Sequence, residues 1–544
     1  MAIAYRSILL LLLALTVSCQ RREDLATVAA REKILIKGNG SEPRSLDLHL
    51  IQTTTEHQLM MAMFEGLVNE DKSDDTKILP GVAETWEPLD GYQRWVFHLR
   101  KNAKWSDGTP LTAHDFVKSY KRQLSPTFAA LYADMLYKLK NAEDYHKGKS
   151  TDFNTVGAKA LDDHTLELTL NGPMPYFLFV LTHFTWFPVP THTIQKFGEL
   201  ESRFNQWTRA GNMVGNGAFK LKEWKFKDFI EVDRNTHYWD AANVKLNGVR
   251  FVVVPDLATE ERLFRNGRLH VTETLGIDRI PFYKKNFPDI VRINPYLGVY
   301  FYRINVTKDG FKDVRVRQAL NFALDRDTLV NKTLNGAHTP AIGFTPPMQA
   351  PYPLPRPLKY DPDKARKLLA EAGYPGGKGF PKFSLHVNDI ETHVLIAQVM
   401  QDMWKRELGL DVGVRTESTN VFYDTQIRMD YEVSRAGWIA DFIEPITFLD
   451  LWTTGNQNNN TGWSNPKFDQ LIKDSYTATD PAARGKIMEE AENIFLSDLP
   501  VVPIYWYNRQ VLVHPAVKGW EPKLLDNHPW KDLDLGSETL PKIQ

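Results

Sequence analysis

Side chains able to do covalent or metal chemistry are common in this sequence, but their spacing builds none of the usual centres. Fifteen histidines are scattered along the chain, and no His-Glu-x-x-His run sets two imidazoles on one helical face for zinc. His49, His57 and His98 read as solvated or structural groups rather than ligands. No Gly-x-Ser-x-Gly elbow presents a serine nucleophile. Gly376-Gly377-Lys378-Gly379 lacks the spacing, and the following Ser or Thr, of a phosphate-cradling loop. Gly38-Asn39-Gly40 and Gly215-Asn216-Gly217 are turn signals rather than dinucleotide fingerprints. The one cysteine, Cys19, leaves the rest of the chain without a thiol nucleophile or a disulfide. Carboxylates are plentiful, but sequence alone cannot pair two of them for acid–base work. These gaps count against an enzyme, and no metal and no cofactor are expected.

Size and charge agree with that reading. The 544 residues suggest about three to five domain-sized units. Apolar residues make up 42% and charged residues 24% of the chain, and the net charge is −1. A nucleic-acid partner would want a basic face, and none is expected.

The first nineteen residues read as an export signal. Arg6 supplies the positive flank, and Ile8 to Val17 is an apolar run shorter than the ~20 residues a membrane span needs. Leu15-Thr16-Val17-Ser18-Cys19 resembles a bacterial lipobox, with Thr16 where an aliphatic residue is usual. Cys19 is the expected lipidation site, and Gln20 to Asp24 the start of a tether.

Elements that must position any site alternate between strand and helix. Arg94 to Arg100 and Thr165 to Leu170 alternate with period two and read as half-buried antiparallel strands. Asp361-Pro362 and Asp480-Pro481 open helices, the first closed by Gly373 and the second running to about Ser497. Thr112-Ala113-His114-Asp115 forms a variant capping box. Phe383 to Val387, Thr392 to Leu408 and Leu410 to Arg415 read as a strand–helix–strand crossover closed by Gly409, which implies a parallel sheet. Pro346 to Pro357 and Gly373 to Gly379 read as loops. An α/β architecture with mixed sheets and several lobes is expected.

Several motifs point to one family. Gly81-Val82-Ala83-Glu84-Thr85-Trp86 precedes Trp95 to Arg100, and then comes Ala103-Lys104-Trp105-Ser106-Asp107-Gly108-Thr109-Pro110-Leu111-Thr112-Ala113. Asp162 to Thr165, Tyr238-Trp239, Asp313 to Leu320 and Arg435-Ala436-Gly437-Trp438-Ile439-Ala440-Asp441 fit as well. The chain resembles the family-5 extracellular solute-binding proteins of ABC importers, and within them the branches that bind oligopeptides and murein peptides. The resemblance covers nearly everything after about residue 33. It implies a periplasmic-binding-protein type II-like α/β fold of three domains, two lobes on a hinge plus an extra domain. Lobe I would comprise 25–66, 191–297 and 509–544, the extra domain 67–190 and lobe II 298–508. The hinge linkers would lie near Pro295 and Asn508.

The same resemblance implies a site. Asp441 matches the aspartate that pairs with a peptide's α-amino group. A closed cleft strips water from that ammonium, so a fixed opposite charge is needed. Gly437 and Ile439 match positions whose main chain pairs with the peptide as an added strand. Thr54 takes an equivalent backbone role in lobe I, and Trp438 matches a cleft tryptophan. Arg435 and His393 match positive groups that meet peptide carboxylates. Tyr132 and Tyr296 match pocket tyrosines. Departures fall at Gln52, where relatives have Glu, at Gln426, where they have Arg, and at Glu273 and Phe301, where they have Tyr. The implied partners are short peptides, a permease with its ATPase, and a membrane reached through the lipid anchor. The implied chain is a monomer in the periplasm or on the cell surface. Alternatives of ligand are murein peptide, a metal chelate or haem; a peptidase or other hydrolase is the alternative of another class.

Overall fold

Two long strands carry the chain between its halves. Val291–Ile304 and Val501–Leu512 pair antiparallel, Val291 opposite Leu512 and Arg303 opposite Val501. Both are rich in β-branched and aromatic residues and are buried over most of their length, as a strand covered on both faces must be. The register slips between Pro295 and Val299, next to the pair Pro295–Asn508. A computed structural model describes residues 24–348, 352–353 and 357–543. The export-signal reading and the lipidation reading at Cys19 lie outside them, as does part of the loop read at 346–357.

Among the described residues, three larger sheets divide the fold, beside two two-stranded ribbons. The largest has six strands in the order Thr339–Pro340, Val501–Leu512, Val291–Ile304, Val433–Ile439, Phe383–Asn388, Val412–Glu417. Its last two strands flank helix Glu391–Leu408 and pair in parallel, Phe383 opposite Val412. This is the expected crossover, with the second strand starting later than read because Gly409, at φ 70°, ends the helix. Ile396, Met400, Met403 and Trp404 bury one helical face against Leu385 and Val387. A second sheet holds Ile34–Gly38, Gly248–Val252, Phe229–Arg234 and Phe219–Lys225. Val271 bridges Lys37 on one side and Val513 on the other, tying the tail of the chain to this sheet. A third, antiparallel sheet holds Ala83–Leu89, Arg94–Leu99, Thr165–Thr169 and Ala158–Asp162, with Phe97 opposite Leu166 and Trp95 opposite Leu168. The chain is thus an α/β fold of three domains with mixed sheets.

Helix starts follow the capping chemistry of the sequence. Asp361 accepts from Lys364 N at 2.9 Å, and Asp480 accepts from Ala483 N at 2.7 Å. Thr112 and Asp115 cap Ala113–Leu124. Thr53 and Glu56 form the capping box of Thr54–Met63, and the Glu56 carboxylate also holds Arg44 N and Gln52 N. That fixes residues 52–54 at the mouth of the cleft described next. Among the described residues, no helix is long and apolar enough to cross a membrane.

Candidate functional site

Strand Val433–Ile439 pairs along its whole length with Val291–Ile304, from Ile304 opposite Val433 to Gly298 opposite Ile439. On its other side it meets Phe383–Asn388 only at Val433 and Ser434. Beyond Arg435, from Ala436 to Ile439, that edge pairs with no other strand. In an antiparallel pair, alternate residues turn both main-chain groups toward the partner strand. Asn305 N donates to Glu432 O, and Ala440 N donates to Leu297 O, both at 2.9 Å. These bonds fix the parity. Residues 432 to 440 of even number face inward, so Arg435, Gly437 and Ile439 turn their N–H and C=O groups to the open side. The Arg435 carbonyl follows this rule, accepting from Gln426 Nε2 at 2.6 Å. Gly437 also keeps the wall thin, since a Cβ there would stand 3.0 Å from Tyr507 Oη.

Two cavities meet at this edge and share Gly437, Trp438, Ile439 and Asn458. One, of about 450 Å³, runs from the start of helix Thr54–Met63 past the extra domain to residue 441. It gathers Gln52, Thr54, Tyr132, Tyr296, Gly437, Trp438, Ile439 and Asp441 from positions almost four hundred residues apart. Its charged side chains are Asp134, Asp441 and Asp526, with no lysine or arginine among the described residues. The other, of about 780 Å³, is lined by Arg435 and Arg303 and by no carboxylate. The cleft is therefore anionic at one end and cationic at the other, with an unsatisfied strand edge between them.

Asp441 is half-buried and makes no hydrogen bond or ion pair with the described residues. Burial raises its pKa to about 7, helped by the carboxylates of Asp134 and Asp450 and opposed by Lys138. An anion so placed is poised to take a cation. Asp526, by contrast, is spent: Arg509 Nε donates to it at 2.8 Å and Gln58 Nε2 at 3.0 Å. At the cationic end, Arg435 stacks its guanidinium 4.9 Å from the Tyr300 ring centroid. Tyr300 Oη lies 3.3 Å from His393 Nδ1. His393 sits in the first turn of its helix, as read, but it is not a positive group in this state. Burial, and then the charge of Arg435, lower its pKa to about 3.

Glu273 is the other departure from expectation. Its side chain does not line either cavity. It is buried, and its two oxygens are taken by Lys37 and by Arg509, the latter at 2.8 Å. Arg509 in turn holds Asp526 and lies 5.8 Å from the Tyr296 ring. Glu273 thus stands behind the cleft wall and acts on it through Arg509. Gln426 and Phe301 also differ in kind from each other: Gln426 lines the cationic cavity, whereas Phe301 packs on Phe344 and Trp452 in the core. Sequence reasoning missed Arg303, Asp134, Asn458 and the histidine pair His57 and His183, whose rings lie 6.1 Å apart in the anionic cavity. In sequence His57 reads as a solvated or structural group, and no spacing rule links it to His183. Strand parity was the one available signal for Arg303, which required the strand pairing to be known.

Comparison with known proteins gives a consistent result. The profile of the bacterial extracellular solute-binding proteins, family 5 Middle, matches residues 77–460. The periplasmic oligopeptide-binding protein OppA of Salmonella typhimurium is 40% identical over 516 residues, covering 93% of each chain. Among solved structures, the unliganded open form of the periplasmic murein tripeptide-binding protein MppA superposes with a TM-score of 0.80 at 33% identity, over 93% of this chain and 98% of that one. Haemophilus influenzae OppA in complex with the peptide RPPGFSPFR gives 0.75 at 33% identity, over 93% and 99%.

Proposed function

The chain belongs to the bacterial extracellular solute-binding proteins, family 5, and from that premise we propose that it captures short peptides for an ABC importer. The observation that carries this reading is the polarity of the cleft along an open strand edge. A peptide is an extended strand with an ammonium at one end and a carboxylate at the other. It adds to the edge by main-chain bonds to Gly437 and Ile439, which hold any sequence alike. Its ammonium meets Asp441 and its carboxylate meets Arg435, so it runs antiparallel to Val433–Ile439. Asp441 and Arg435 are six positions apart; at ~3.3 Å per residue the span suits a ligand of roughly three to six residues. Thr54, at the first turn of its helix, contributes a free N–H from the opposite wall.

Closure about Pro295 and Asn508 then buries the ligand, and the closed face is presented to a permease and its ATPase. Lipidation at Cys19 holds the monomer to a membrane in the periplasm or on the cell surface. Tyr132 and Trp438 supply apolar walls, and water fills the side-chain pockets, so specificity is broad.

Calorimetry with a free-amino tripeptide and its N-acetylated twin tests this. The free peptide is expected to bind at least about a hundredfold tighter, since acetylation leaves Asp441 buried without a partner. Equal affinities would overturn the reading. Mass spectrometry of ligand released from purified protein identifies the natural cargo.

A further inference from the structure

Five interior arginines are held by carboxylates or by main-chain carbonyls. Arg122 holds Asp47, Arg484 holds Glu444, and Arg509 holds Glu273 and Asp526. Arg317 and Arg326 are satisfied by main-chain carbonyls. Arg303 and Arg435 are different. Neither has a carboxylate partner among the described residues, and the Nε of each is buried without an acceptor; Arg484 also leaves Nε and Nη1 without one, but Glu444 neutralises it. Among the described residues, the Arg303 guanidinium hydrogen-bonds to a neutral group, Gln426 Oε1, at 3.1 Å from Nη1. Gln426 is itself fixed, its Nε2 donating to Ser434 Oγ at 2.7 Å and to the Arg435 carbonyl. It therefore aims Arg303 at the open edge.

Register gives the relation of the two guanidiniums. Arg435 stands opposite Tyr302, whereas Arg303 stands opposite Ser434, one step along. Successive positions on a strand point to opposite faces. Arg435 and Arg303 thus approach the same cavity from the two faces of the sheet. A ligand strand added at that edge also sends successive side chains to alternate faces. With its terminal carboxylate on Arg435, one of its last two side chains points to the face of Arg303.

We propose that Arg303 is a second carboxylate-binding group of the cleft, selecting short peptides with an acidic side chain at one of their last two residues. This rests on the peptide reading above. A neutral side chain at that position leaves a desolvated guanidinium unpaired, and an acidic one completes it with charge-assisted hydrogen bonds.

The test is calorimetry at constant salt with alanine-based tripeptides and tetrapeptides, carrying Glu or Gln at each of the last two positions. The wild-type protein is expected to bind at least one Glu peptide about tenfold or more tighter than its Gln twin. Arg303→Gln is expected to lose that preference and bind the Glu and Gln twins alike, and an unfolding midpoint in urea close to that of wild type reports that it is folded. Equal binding of Glu and Gln peptides by the wild type, with the alanine peptide bound, would overturn this inference and leave the peptide reading standing. A Glu preference that survives in Arg303→Gln would overturn it too. Failure to bind any of the peptides would remove both.

Discussion

Pro295 and Asn508 stand opposite one another on the two strands that join the lobes, at the edge of a register slip. Their main-chain groups turn away from each other, Asn508 N donating outward to His338 Nδ1 at 3.2 Å. The ladder between the two strands lapses in the slip from Pro295 to Val299, and that lapse is where a rotation of one lobe on the other costs least. Small-angle scattering is the check: saturating peptide should reduce the radius of gyration, and a disulfide engineered across the mouth of the cleft should abolish the change.

Asp441→Asn separates function from stability. Affinity for free-amino peptides should fall by about a hundredfold or more, and the ligand-free protein should become more stable. The sign follows from linkage. The carboxyl has a folded pKa of about 7 against the ordinary aspartate value of 3.8, so its stabilising contribution is complete below the unfolded value and is lost as pH rises through 7. At pH 8 the wild type carries a penalty of up to about 4 kcal/mol, reduced by whatever solvent reaches the half-buried group. Thermal unfolding of the two ligand-free proteins at pH 8 and pH 4 should show a gap at the first and little at the second.

Affinity should be bell-shaped in pH. Protons compete with the ligand's ammonium for Asp441 below about 7, and the ammonium itself discharges above about 8. Binding is expected to be tightest between these values and to weaken about tenfold per unit on the acid side. Asp441→Asn should flatten the acid limb, as measured by calorimetry across pH 5 to 9.

Strand parity predicts which ligand amides matter. N-methylation at alternate positions should cost about tenfold or more, because each methyl removes a donor to Gly437 or Ile439 and leaves an acceptor buried. Methylation at the intervening positions should cost less. A ligand series showing no alternation would exclude strand addition.

Glu273→Gln should act as a structural lesion. It removes the direct ion-pair partner of Lys37, a cost of up to about 3 kcal/mol, while Arg509 retains Asp526. The unfolding midpoint in urea should drop clearly, and peptide affinity should change by less than about tenfold. The reverse pattern would return Glu273 to the ligand pocket.

Much of the scaffold was legible because local chemistry decides it. Asp361, Asp480 and Thr112 open their helices as capping requires, and Gly409 closes the crossover helix. The two long strands were not read as such, since an apolar run buried on both faces has no period to detect. The family motif around residues 435–441 pointed to the cleft, and eight of its eleven expected residues line one cavity. What the motif could not carry was charge state and pairing. The neutrality of His393 depends on Arg435 and on burial, and the withdrawal of Glu273 depends on Lys37 and Arg509. Neither neighbour is close in sequence.

An unpaired row of peptide groups, such as that from Gly437 to Ile439, is also what lets chains stack into fibres. Here it is recessed between domains, past the point where pairing with the neighbouring strand ends at Ser434, and flanked by a bare positive charge. Small guests can thread in, but a second folded molecule cannot lay a strand alongside. The same recess that receives cargo therefore guards an exported protein against self-assembly, and mutations that splay the lobes should show themselves first as aggregation.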